Sequence, residues 1–228
     1  MHRRRSASHV AVAATALAVA APLLTGCGSE ETRAGAAAVV DGERITVSQV
    51  QSRSEAVRDA QRAGDGAGEL IRSSGRLGHY NLNEMISSRV IARAAADEGV
   101  RVSRREVQEA RASDQKRAGG KEQLESTLLR ENALAPSQIN DSYRTTLLFN
   151  KLVQALGVQA GDPKADEVIS AKLVETSKKM GIKVSPRYGS WDMEKFQLAD
   201  GERSWLKAAV EKEPGAGGHG PEDGHDHG

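Results

Sequence analysis

Three imidazoles and three carboxylates fall within nine residues near the C-terminus: His219, Glu222, Asp223, His225, Asp226 and His227. Neutral imidazoles and carboxylates are ligands for zinc, nickel or copper, so metal capture through His219, His225 and His227 is chemically open. Residues 215–228 are mostly glycine and charge, with no second shell to orient ligands, so such a site would be weak. The same composition favours a solvated, low-complexity end that buries no core. Elsewhere the chemistry thins out. No Gly-x-Ser-x-Gly elbow and no dinucleotide fingerprint is present, and the glycine-rich run at 64–68 lacks the Lys-Ser/Thr ending of a phosphate loop. Glu106 and Glu109, with Arg111 near them, read as a solvated helix face and not as a general acid and base pair. His79, beside Tyr80, has no partner pattern and reads as a surface or loop residue before a helix. The expectation is a binding protein without a cofactor, not an enzyme.

The only cysteine, Cys27, closes the sequence Leu24-Thr25-Gly26-Cys27. Ahead of it stand Arg3, Arg4 and Arg5, then an apolar run over residues 10–24. A basic start, an apolar middle and a small-residue end are the parts of a secretory signal. The run of 15 residues is short of the ~20 that span a bilayer as a helix. This ending resembles the lipobox of bacterial lipoproteins. That resemblance implies diacylglyceryl transfer to Cys27, cleavage just before it, and a chain held at the outer face of the cell membrane. The Cys27 sulfur then becomes a thioether, available neither for a disulfide nor as a metal ligand.

Removing residues 1–26 leaves 29 basic residues against 31 acidic. So even a balance makes no electrostatic case for nucleic acid. Aromatic residues are 3% of the chain, so the core must be built mainly from Ala, Val, Leu and Ile. The division expected is a signal peptide over 1–26, a tether over 27–36, a helical domain over 37–198, and a polar, His-rich tail over 199–228.

Within the domain, Ala37-Ala38-Val39-Val40 and Glu43-Arg44-Ile45 flank Asp41-Gly42, which predicts a hairpin with a type I′ turn. Thr46 and Gln49 form a capping box that opens a helix fading at 63–68. Residues 69–80 are weakly patterned and read as a loop or a short helical piece. Leu82, Met85, Ile86 and Val90 recur at helical spacing, with Gly99 at the C-terminal end. Ser103 and Glu106 form a second box, for a helix running toward Gly119-Gly120. A short helix follows over 121–131. Pro136 suits a first turn, and Ile139, Tyr143, Leu147 and Leu148 stripe a long helix ending at Gly157. Asp162-Pro163 opens another helix, with Asp162 as its cap and Gly181 as its end. Ile182 to Val184 is a short strand closed by Pro186. A lone hairpin is marginal in water, so this strand is expected to pair with Val39 and Val40 and bring the domain's ends together. The fold class expected is mainly α with a small sheet.

The run from Val39 to Thr46 resembles the opening of SurA and PrsA-type extracytoplasmic foldases. Leu82 to Val102, with Met85-Ile86, Ile91, Gly99-Val100 and the capped Ser103 to Val107, is similar to their next helical hairpin. Leu147-Leu148-Phe149-Asn150-Lys151-Leu152 resembles the end of their long helix, and Val184 to Trp191 their closing strand. In that family a parvulin prolyl-isomerase domain of about 90 residues usually follows the long helix. Here residues 157–161 stand in its place, so isomerase activity is not implied. The resemblance implies a SurA N-terminal-like holdase that binds unfolded exported proteins in an apolar groove. Candidate client contacts are Met85, Ile86, Val90, Tyr143, Leu147, Phe196 and Trp205. Tyr188 and Trp191 are expected to pack the closing strand onto the helices. The alternatives are an adaptor lipoprotein holding one folded partner and a weak metal-binding lipoprotein.

Overall fold

The computed structural model describes residues 35–64, 67–73, 75–158 and 163–200. The chain opens with strands β1 (Ala36–Val40) and β2 (Glu43–Thr46), which pair antiparallel around the Asp41-Gly42 turn. Asp41 and Gly42 take φ of 54° and 77°, the two positive values a type I′ turn demands. A register shift between Ala36 and Ala38 breaks the usual alternation, and Ala36, Ala37 and Ala38 are all buried. Alanine suits that place, because backbone and helix approach closely on both faces.

Helix α1 (Val47–Ala63) starts in the expected capping box. The Gln49 amide donates to Thr46 Oγ1 at 3.1 Å, and the Thr46 amide donates to Gln49 Oε1 at 2.8 Å. Helix α2 (Ala67–Ser73) is one short piece, and α3 (Leu77–Asp97) then runs for 21 residues. Helix α2 is the short helical piece that residues 69–80 allowed, while the start of α3 at Leu77 takes the last of them into the long helix. Arg76 offers no side-chain cap; burial of Leu77 with Val57, Leu129 and Ala135 holds the first turn instead. His79 and Tyr80 therefore lie inside the helix, not before it.

Helices α4 (Arg104–Ala118) and α5 (Lys121–Asn132) follow, the first capped by Ser103 and Glu106 and ended by Gly119 at φ 89°. A 3-10 turn at Pro136–Gln138 leads into α6 (Ile139–Ala155). Helix α7 (Ala165–Met180) begins later than Asp162-Pro163 suggests, at the first residue with a buried side chain; Asp162 lies outside the described residues. Gly181 closes it in the left-handed conformation.

Strand β3 (Lys183–Val184) pairs antiparallel with β1, giving the sheet order β2-β1-β3. The two ends of the domain therefore meet. The register places Ala38 opposite Val184 and Val39 opposite Lys183, one step from the expected partners. Two backbone bonds lock the junction: Asp41 N–H to the Met180 carbonyl and Ser185 N–H to the Ala37 carbonyl, both 2.8 Å. A second hairpin, β4 (Ser190–Asp192) with β5 (Gln197–Ala199), was not foreseen, so Ile182 to Val184 is not the sole late strand. The Asp192 carboxylate accepts from the Glu194 and Lys195 amides at 3.1 and 3.0 Å and shapes this turn. The Leu198 amide donates to Asn83 Oδ1 at 2.7 Å, fastening the hairpin to α3.

Helix α3 is the central member. Leu82, Ile86, Val90 and Ala94 form a stripe of 0% exposure, packed with Val40, Ile45, Val50, Leu148, Leu152, Leu173 and Met180. Tyr188 and Trp191 pack against this core, as expected of the closing segment. No helix among the described residues is long and apolar enough to cross a membrane.

Candidate functional site

A cleft of about 640 Å³ opens between α3 and α6, with α1, α4 and α5 completing its walls. The groove implied by the resemblance is an apolar one. The lining of this cleft is mixed. Ala92, Leu128, Leu134 and Leu148 supply apolar surface, and Arg53, Glu84, Arg89, Asp114, Asp141 and Arg144 supply charge. The reason lies in the core. The apolar stripe of α3 is consumed by packing, so the flank it leaves toward the cleft is its polar one.

This overturns part of the expected contact set. Ile86 and Val90 are fully buried and cannot face a client in this conformation. Met85 and Leu147 are half-buried against the core and do not line the cleft. Phe196 packs edge-on against Trp191, with ring centroids 5.3 Å apart and planes at 78°. Among the described members of the expected set, Tyr143 alone lines the cleft. Its hydroxyl donates to Asp114 Oδ2 at 2.7 Å. Burial and that carboxylate push the Tyr143 phenol up to about 12, and the same bond, with Arg117, holds Asp114 below its ordinary value. Cys27, Trp205, His219, His225 and His227 lie outside the described residues.

The residues that sequence reasoning missed are Arg53, Tyr80 and Glu84. Tyr80, 39% exposed, is the one exposed large hydrophobic among the described residues. Glu84 stands one turn further along α3. It keeps an opening to water while protein surrounds most of its other directions, and this crowding raises its carboxyl above the usual range; a bond from Asn83 and the charge of Arg53 oppose the rise. Tyr80 is raised too, by burial first and by Glu84 second. From α1, Arg53 approaches Asp141 of α6 at 3.8 Å, and its Nε is buried without a hydrogen-bond partner. The i, i+4 spacing of Tyr80 and Glu84 would have signalled a shared face had the helix been extended back to Leu77.

The floor is fixed by buried amides. Asn81 donates to Ser54 Oγ at 3.1 Å and Gln138 donates to the Arg53 carbonyl at 2.9 Å. Arg89 and Arg144 are occupied with backbone carbonyls, Arg89 on Glu43 at 3.3 Å and Arg144 on Val102 at 3.1 Å. Arg111 leaves the solvated face assigned to it and pairs with Glu125 of α5 at 2.7 Å, both side chains about one-fifth exposed. Among the described residues no group of three His, Cys, Asp or Glu side chains could hold a metal ion.

A family model described as the SurA-like N-terminal domain matches residues 1–153, from the N-terminus through most of α6. The chain belongs to this family. The SurA-like match embraces every residue that lines the cleft, and is consistent with a chaperone-type role. No parvulin or other catalytic domain is detected beside it. SurA-like domains are extracytoplasmic. No curated protein and no solved structure matches the chain.

Proposed function

We propose that this chain is an extracytoplasmic, ATP-independent holdase that captures extended segments of newly exported proteins in the α3–α6 cleft. Membership of the SurA-like family carries the reading. The cleft supports it, since exposed Tyr80 and the leucines beside it offer apolar surface while Glu84 and the amide floor offer polar partners. Apolar burial at about 25 cal/mol per Å² is offset here by ordering of the client and desolvation of charge. Binding is then weak, reversible and tolerant of sequence. Cys27, lipid-modified, would hold the chain at the membrane and raise its concentration around emerging clients without a new contact. Two acyl chains anchor stably where one is marginal.

Light scattering of a reduced, aggregating client tests the central point. Several-fold molar excess of the chain is expected to suppress aggregation, and Leu134→Asp to weaken suppression at least threefold with unchanged helical circular dichroism. No suppression by the unaltered chain would sink the holdase reading. Palmitate labelling tests the anchor: incorporation is expected in the unaltered chain and lost in Cys27→Ser.

A further inference from the structure

The described chain stops at Asp200, beside the first turn of α3. There the Asp200 carboxylate pairs with Arg76, and its Oδ1 lies 3.6 Å from His79 Nε2. Tyr80 is the next residue of α3, and Tyr80, Asn81 and Glu84 line the cleft. Residues beyond 200 therefore leave from the cleft's own helix. Five and six positions further on stand Trp205 and Leu206, then Ala209 and Val210. Arg203 and Lys207 bracket the tryptophan. Five extended residues reach about 17 Å, against about 6 Å of helix rise between positions 80 and 84. The tether is long enough.

We infer that residues 203–210 dock in the α3–α6 cleft of their own chain and act as an internal competitor for clients. Two features of the cleft fit this occupant. Glu84 makes no ion pair among the described residues, so its carboxylate is available to Arg203 or Lys207. Leu128, Leu134 and Tyr80 leave apolar surface that Trp205 and Leu206 would cover. A connection of a few residues sets an effective concentration in the mM range, so docking tighter than that keeps the cleft mostly filled and client binding becomes a displacement. This regulation rests on the reading of the cleft as the client site, whereas the docking itself does not.

The full chain carrying benzoylphenylalanine in place of Trp205 tests the inference, with helical circular dichroism checked against the unaltered chain. Irradiation at low concentration is expected to crosslink position 205 within one chain to peptides containing Tyr80 to Ala92 or Leu128 to Leu148. Glu84→Lys should cut that yield several-fold, and Glu84→Gln should cut it less. Absence of intrachain crosslinks, crosslinks elsewhere on the chain, or crosslinks between two chains would each overturn the docking. Excess unfolded client is expected to lower the yield. A cleft crosslink that client leaves unchanged keeps the docking and removes the cleft as the client site. Aggregation suppression without the crosslink removes the docking and keeps the holdase reading.

Discussion

Glu106 serves two structures with one carboxylate. Its Oε2 accepts from the Ser103 amide and hydroxyl, each at 2.9 Å, and closes the box that starts α4. Its Oε1 pairs with Lys151 of α6. The Lys151 bond first, and the Ser103 bonds after it, hold the Glu106 carboxyl down at about 2, against an ordinary 4.5. A carboxyl depressed in the fold adds stability that is present above the unfolded value and lost as pH falls through the folded one. The window is therefore from about 4.5 down to about 2. In a side-chain NMR titration Glu106 is expected to protonate near the bottom of that window. Glu106→Gln, which can still accept from Ser103, should remove this part of the acid sensitivity in denaturant melts at low pH. A Glu106 midpoint at the ordinary carboxylate value would contradict the two-partner account.

Strands and helices here depend unequally on their own residues. The first hairpin has its turn written in Asp41-Gly42, yet β1 sits centrally and needs a neighbour on each side. The last segment provides it through β3, and adds β4 and β5, whose Leu198 is 5% exposed and whose Trp191 and Phe196 pack on the core. Burial of such side chains contributes roughly 1.5–3 kcal/mol each, against a total stability of about 5–15 kcal/mol for a domain. Truncation after Gly181 is accordingly expected to lower the melting temperature by well over 10 °C and reduce helical circular dichroism, although no α-helix among the described residues is removed. A truncated chain with the same melting temperature and full helical signal would refute the cooperative closure of the two ends.

At the scale of the molecule, what the amino-acid sequence determined by itself is local. Both capping boxes, the type I′ turn and the left-handed glycines at 119 and 181 follow from groups within about four residues of one another, where propensity and orphan amides decide. The α3 stripe was legible for the same reason: a period of 3.6 residues is a property of the helix alone. The stripe does not say what covers it, which is why Ile86 and Val90 stand among the expected client contacts. Tertiary packing decided for core, and thereby left a polar flank of α3 to line the cleft. The start of α3 has no cap and is secured by Leu77 against Val57 and Leu129. The β4–β5 hairpin is tied to Asn83 across 115 residues, and Asp200 to Arg76 across 124. Contacts over such separations leave no period in the sequence, because their free energy exists only once the chain has closed. Arg53 joins Tyr80 and Glu84 in one site for that reason: only the packing of α1 against α3 brings them together.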